Sequence, residues 1–185
     1  MTAADFCDPM NTKALQANVL AIVEKEAPIS GEVLAKELIA TAGITKMTPK
    51  LRARCEYLVK SVKLQYTTQK LDPASEEDDE VIFLWNEGAE IGKVMDFYRT
   101  PAEGTKARKA VDIPVQEAAC AARYLAASQY GMPYENLITE TAKSLGLSRA
   151  PADSDNYKLC KRAIDYCIRQ ELLEADDDGF VKAKE

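Results

Sequence analysis

The sequence predicts a mainly α-helical protein with short β-hairpins, arranged as a tandem pair of winged-helix units, each a helix-turn-helix followed by a hairpin wing. Three observations predict this fold. The stretch at residues 29–46 recurs without a gap at 132–149, and the match resumes between 53–64 and 162–173. Apolar residues follow a helical period within each copy. Each copy ends in short alternating segments that are typical of a hairpin.

The repeat preserves positions where a helix must end or a core must be filled, as structural repeats do. Leu34 coincides with Leu137, and Gly43 coincides with Gly146. Glycine readily adopts the positive φ of a helix C-terminus, so the second helix of each unit is predicted to end at these glycines. The repeat leaves one alternative open, in which two helical hairpins merge into a single helical domain.

The first two helices of each unit follow from periodicity and capping residues. The first helix is predicted over residues 15–26, "LQANVLAIVEKE", and its alanine-rich counterpart over 117–128. Ser30 is predicted to cap the second helix, and Pro133 to lie in the first turn of the corresponding helix.

The third helix is predicted to begin at Thr48 and Pro49, which suit the N-cap and the first turn. Its apolar stripe comprises Leu51, Cys55, Leu58, Val59 and Val62, and that of the copy comprises Cys160, Ile164, Cys167, Ile168 and Leu172.

The wings are predicted in "KLQYTTQ" with "EVIFLW", residues 63–69 and 80–85, and in "LLEADDDGFVKA", residues 172–183.

The domain organisation follows from this order of elements. Residues 1–87 form the first unit with an N-terminal extension, residues 88–114 a linker rich in glycine and proline, and residues 115–185 the second unit. Within the linker, "VMDFYR" at residues 94–99 is predicted to be a short ordered patch.

Composition excludes several classes of protein. The chain has 185 residues, of which 46% are hydrophobic and 29% charged, which is ordinary for a globular protein. We expect a cytoplasmic location and no membrane partner, because the sequence has neither a long apolar run nor the pattern of a signal peptide. Five scattered cysteines and the absence of histidine give no support for a disulfide framework or a zinc site.

The residues do not assemble a catalytic or cofactor site. Without histidine the usual general base and every Ser/His or Cys/His pair are missing. The segment "GAEIGKV", residues 88–94, lacks the spacing and the final Ser or Thr of a phosphate loop, and "EEDDE", residues 76–80, lacks the spaced ligands of a calcium loop. We therefore expect no metal, no cofactor, no small-molecule substrate and no catalysis by this chain on its own.

The segments "APISGEVLAKELIATAGITK" and "MPYENLITETAKSLGLSR", each followed by a basic helix with an apolar stripe, resemble a helicase-associated domain of unknown function. Domains of that kind lie at the C-terminus of large bacterial superfamily I DNA helicases. The resemblance implies that the partner of this chain is a helicase core, in the same or another chain, which carries the catalysis. It supplies no catalytic residues.

Charge placement is the main functional signal. Residues 46–63 contain six basic residues against the single acid Glu56, although the whole chain carries a net charge of −6. Basic residues on a recognition helix contact phosphates or the major groove. The candidate DNA-binding residues are Lys46, Lys50, Arg52, Arg54, Lys60 and Lys63 in the first unit, Lys106, Arg108 and Lys109 in the linker, and Arg149, Lys158, Lys161, Arg162 and Arg169 in the second unit.

Two alternatives compete with DNA binding. The basic residues could be solvated helix faces that pair with neighbouring carboxylates. The chain could also be a protein-docking or intramolecular regulatory module with acidic wings, because these wings would repel DNA and Trp85, Phe97 and Tyr98 could form an exposed apolar patch. These three rings could instead be buried where the two units meet.

Overall fold

The computed structural model describes residues 1–102, 104 and 107–184. This part of the chain is mainly helical and contains two small three-stranded antiparallel sheets, which confirms the predicted fold class at that level. The chain divides into two compact units. Unit 1 comprises Met1–Thr68 and Val81–Ala89, and unit 2 comprises Gln69–Glu80 and Glu90–Glu185.

Unit 1 combines helices with a small antiparallel sheet. The helices are α1 (Ala3–Cys7), α2 (Thr12–Glu26), α3 (Gly31–Thr41) and α4 (Pro49–Ser61), and the strands are β1 (Ile29–Ser30), β2 (Gln65–Gln69) and β3 (Val81–Trp85). The strand order in the sheet is β1-β3-β2, with Ile29 opposite Leu84. The core residues come from all the longer helices and include Leu15, Val19, Leu34, Leu38, Leu51 and Leu58.

Unit 2 repeats the order helix, strand, helix, helix, strand, strand. Its elements are α5 (Val115–Ser128), β4 (Met132–Pro133), α6 (Tyr134–Ser144), α7 (Asp155–Arg169), β5 (Leu173–Ala175) and β6 (Phe180–Ala183). The strand order is β4-β6-β5, again first, third, second. Small side chains on α5, such as Ala118 and Ala122, are fully buried, and the Cys167 thiol of α7 donates a hydrogen bond to Ala119 O at 3.2 Å.

The predicted helix boundaries are largely confirmed. Ser30 Oγ accepts a hydrogen bond from Val33 N, and Thr48 Oγ1 accepts one from Leu51 N. Gly43 and Gly146 have φ angles of +77° and +71°. After each glycine the chain folds back in the same way, with Ile44 N donating to Ile39 O and Leu147 N to Ala142 O, both at 2.9 Å. Both second helices therefore end in the same glycine-dependent cap.

Two local features differ from the sequence prediction. Pro133 is not inside the first turn of α6 but at the N-cap position, because it also pairs with Phe180 in the sheet. The sequence analysis also missed β1 and β4, the third strand of each sheet. These strands have two residues each, which is too short for an alternating pattern to be visible.

None of the helices in the described part of the chain combines the length and the apolar character that a membrane span requires.

Candidate nucleic-acid interface

Helix α4 has one buried face and one exposed face. Leu51, Cys55 and Leu58 are buried, at spacings that place them on a single side of the helix. On the opposite side the exposed positions are Lys50, Ala53, Glu56, Tyr57 and Lys60, of which Glu56 is the one acidic residue. We call this side the exposed face of α4.

The lysines around this face carry uncompensated charge. Lys50 and Lys60 lie on the helix, and Lys46 and Lys63 lie just before and after it; all four residues are exposed. Within residues 1–102, 104 and 107–184, none of the four forms an ion pair. Their ammonium groups are therefore available to an external anion, and a phosphate is the anion that such a lysine array attracts most effectively.

Arg52 is engaged with α3. Its guanidinium pairs with the Glu32 carboxylate, which also binds Lys36 Nζ at 3.0 Å. The hydrogen bond from Arg52 is the main reason why the pKa of Glu32 falls from 4.5 to about 2. At neutral pH this carboxylate stays ionised and offsets the charge of Arg52.

Arg54 is engaged with the N-terminal segment. Its Nε donates to Phe6 O at 3.3 Å, and its Nη2 donates to Asp8 O at 3.1 Å and to Thr12 Oγ1 at 2.8 Å. The guanidinium carbon also lies 5.4 Å from the centre of the Tyr57 ring. Arg54 thus fixes the start of the chain against α4 and has few N–H groups left for a phosphate.

On the third helix of unit 2, α7, both lysines are paired with carboxylates. Lys161 pairs with Asp165 at 2.9 Å, and Lys158 lies 3.8 Å from Asp78. Arg162 is half-buried, and this burial lowers the pKa of its guanidinium. Arg149 and Arg169 are exposed, Arg169 beside the ring of Tyr166 at 6.0 Å. Around α7 the exposed cations without an ion pair among the described residues are thus Arg149 and Arg169, fewer than the four lysines around α4.

The candidate basic residues of the predicted linker do not share one environment. Lys106 lies outside the described residues, and Lys109 is exposed. Arg108 pairs with Glu117 of α5 at 2.6 Å, and Arg99 binds the same carboxylate at 2.5 Å.

Glu117 is fully buried between these two arginines. Burial alone would raise the pKa of its carboxyl, but the hydrogen bonds and charges of Arg108 and Arg99 lower the pKa from 4.5 to about 2. Arg99 N–H also donates to Glu117 Oε1 at 3.0 Å. By binding the Glu117 carboxylate, Arg108 fixes the segment before α5 to that helix.

The aromatic docking candidates lie in three different environments. Trp85 is buried, and its Nε1 donates to Thr67 Oγ1 at 2.9 Å. Phe97 is exposed, and Tyr98 is half-buried with its ring 6.1 Å from that of Tyr124. Of the three, Phe97 alone presents a large apolar surface to solvent.

Buried thiols occupy the apolar faces of the third helices. Burial raises the pKa of Cys55 to about 11 and that of Cys160 and Cys167 to about 12. These thiols are therefore protonated at neutral pH and pack as small apolar side chains.

Sequence reasoning missed two residues that the structure brings forward. Tyr57 lies on the exposed face of α4, and a helical wheel that includes aromatic residues would have found it. Glu117 was hidden in an alanine-rich helix, and its two arginine partners are 18 and 9 residues away in the sequence. An acidic residue among alanines was the only signal.

Comparison with known proteins gives one match. A family model described as "Protein of unknown function (DUF3320)" matches residues 4–53, from α1 into the first turns of α4. No curated protein and no solved structure matches the chain. The match supports a domain of unknown function, and it lies within unit 1.

Proposed function

We propose that the chain is a non-catalytic, DNA-binding accessory module built from a tandem pair of winged-helix units. The order of helices and strands supports this architecture, because each unit has a helix, a strand, two further helices and two strands, with the strands in the order first, third, second. In a helix-turn-helix protein the second helix of that motif enters the major groove. That position belongs to α4 in unit 1 and to α7 in unit 2.

The observation that carries the DNA-binding proposal is the set of exposed lysines around α4. Lys46, Lys50, Lys60 and Lys63 are exposed and make no ion pair with another described residue. If these lysines only neutralised carboxylates on the protein's own surface, they would form ion pairs like the one between Lys161 and Asp165 on α7. The two third helices thus differ, and α4 is the DNA-binding one.

The resemblance to helicase-associated domains suggests the context of this binding. In the proposal the module holds DNA for the core of a helicase or another DNA-processing enzyme in the cytoplasm, and that core carries out the catalysis. The net charge of −6 opposes general attraction to DNA, so in the proposal the binding is confined to the local lysine-rich surface around α4.

The test is fluorescence anisotropy of the full chain with labelled duplex, forked and single-stranded DNA over a range of salt concentrations. The variant Lys50→Glu/Lys60→Glu reverses charge on the exposed face of α4. The matched control Lys13→Glu/Lys184→Glu makes the same charge change at two exposed lysines outside the candidate set. Arg54 is left unchanged, because its hydrogen bonds to the N-terminal segment would confuse a loss of binding with a loss of structure.

We expect the wild-type chain and the control variant to bind DNA with an affinity that falls log-linearly with salt, and the α4 variant to lose this binding. Equal losses in both variants would show that only the net charge matters. The absence of binding by the wild-type chain at low salt would contradict the proposal.

A protein-docking module is the second candidate. One observation favours it, the exposed ring of Phe97, which is next to Tyr98 in the sequence. In that case Phe97→Ala would weaken association with the helicase core, measured by co-purification, and the α4 charge reversal would have no effect on it.

A further inference from the structure

Tyr57 lies at the centre of the exposed face of α4. The residue is 55% exposed. Along the helix Tyr57 follows Lys50 by two turns and precedes Lys60 by one, and these two lysines are about 15 Å apart along the helix axis. The exposed ring thus lies between two lysines that form no ion pair with another described residue, and the exposed Glu56 is the one acidic residue on this face.

The ring is held in place before any ligand binds. The Arg54 guanidinium carbon lies 5.4 Å from the ring centre and covers one of its faces. Arg54 is itself fixed by hydrogen bonds to Phe6 O, Asp8 O and Thr12 Oγ1. A side chain supported in this way loses little conformational entropy when a second planar group stacks on it.

From this arrangement we infer that Tyr57 is a stacking platform for an unpaired nucleobase, and that the interface binds single-stranded DNA in preference to duplex. The inference rests on the proposed DNA-binding function and specifies its substrate. The bases of a duplex expose only their edges to a protein, whereas the bases of a single strand offer their faces. Lysines that contact the backbone on both sides of a stacked base form the usual binding site for single strands.

The experiment compares Tyr57→Ala, Tyr57→Phe and the wild-type chain, with Tyr124→Ala as the control for loss of an exposed helical tyrosine. Tyr124 is 60% exposed and lies on α5 of unit 2. The probes are a fluorescein-labelled oligothymidine and a labelled duplex of the same length, each measured across a salt series. The fluorescence of Trp85, which is buried in unit 1, monitors the fold of each variant.

We expect the wild-type chain to bind the oligothymidine more tightly than the duplex at equal salt. Tyr57→Ala should weaken oligothymidine binding about tenfold or more, the loss expected when one stacked base is released, and should leave the salt slope unchanged because no phosphate contact is removed. Tyr57→Phe should retain the affinity, because it retains the ring. Tyr124→Ala should bind like the wild-type chain.

The outcomes separate the inference from the function on which it rests. If the wild-type chain binds duplex at least as tightly as oligothymidine, or if Tyr57→Ala binds the oligothymidine normally, the stacking role is overturned while DNA binding stands. If the wild-type chain binds neither probe at low salt, both the function and the inference are overturned.

Discussion

Arg54 shows how a basic residue can be structural on a helix that otherwise presents free charge. Its guanidinium makes hydrogen bonds to Phe6 O, Asp8 O and Thr12 Oγ1. Phe6 is fully buried in the core of unit 1, so Arg54 fixes a segment that contributes to that core.

We expect Arg54→Ala to lower the free energy of unfolding of unit 1 by about 1–3 kcal/mol, because carbonyl oxygens bonded to a charged donor lose their partner. Arg54→Lys should not restore stability, since an ammonium group cannot span these acceptors as a guanidinium does. The measurement is urea unfolding followed by the fluorescence of Trp85. The control Lys50→Ala removes an exposed charge and should change the free energy by less than about 0.5 kcal/mol.

Glu117 gives a pH-dependent prediction for unit 2. The folded-state pKa of its carboxyl, about 2, lies below the ordinary value of 4.5, so the ion pairs with Arg108 and Arg99 stabilise the folded unit fully above about pH 4.5. This contribution is lost as the pH falls toward 2. Glu117→Gln should therefore lower stability by about 3 kcal/mol or more at neutral pH, because two half-buried arginines lose their buried partner.

Hydrogen exchange of the α5 amides, followed by mass spectrometry from pH 7 downward, measures this effect. Protection of these amides in the wild-type chain should decline below about pH 4.5. In Glu117→Gln the protection should already be low at neutral pH and should not show that decline. Equal protection of wild-type and variant at neutral pH would contradict a stabilising role for the two ion pairs. The control Glu140→Gln removes a partly exposed carboxylate that lies 3.6 Å from Lys143 and should change little.

These residues also show why side-chain roles escaped sequence analysis. The helical period places Arg54 beside the apolar stripe of α4, but it cannot show that the hydrogen-bond partners of Arg54 lie 42 to 48 residues earlier in the chain. The same period places Lys50 and Lys60 on the exposed side, because exposure on a helix depends mainly on spacing from the apolar stripe.

At the scale of elements, the ends of α3 and α6 provide a matched pair of sites. Gly43 and Gly146 have nearly equal positive φ angles and follow the same chain reversal. Their surroundings differ, because an added methyl group at Gly43 would meet nothing within 4 Å, whereas at Gly146 it would come 2.6 Å from Pro101 Cγ.

Gly43→Ala should destabilise the end of α3 by about 1–2 kcal/mol, the cost of a left-handed conformation for an L-residue. Gly146→Ala should cost distinctly more at the end of α6, because Pro101 must also move. Hydrogen exchange of the α3 and α6 amides compares the two variants in one experiment. Equal losses of protection in the two variants would show that the segment around Pro101 moves aside at little cost in free energy.

Elements with local signals were predictable, and elements set by distant contacts were not. Ser30 and Thr48 cap helices through residues three positions away, so their roles could be predicted from the sequence. Helix α5 has no such local cap, and its Val115 N–H donates instead to Gln69 Oε1, 46 residues earlier. Strand β1 likewise exists only because β3 pairs with it.

At the scale of the whole molecule, the repeat gives two units of the same topology with different charge balance. In unit 1 the lysines around α4 have no carboxylate partner among the described residues, whereas in unit 2 Lys161 is paired with Asp165. The sequence showed a stronger basic excess in the first copy, but it could not show which charges were already neutralised. Repetition of the topology therefore does not imply repetition of the surface charge.

This asymmetry predicts that unit 1 supplies most of the salt dependence of DNA binding. Each phosphate contact contributes about −0.7 for single strands or −0.9 for duplex to the slope of log affinity against log salt. Lys50→Gln and Lys60→Gln should each reduce the magnitude of the slope by about that amount, whereas Lys161→Gln should leave it unchanged because Asp165 already binds that ammonium group. The measurement is anisotropy with one labelled DNA at several salt concentrations. A change of slope for Lys161→Gln as large as that for Lys60→Gln would mean that both units contact the backbone and that the ion pair on α7 opens when DNA binds.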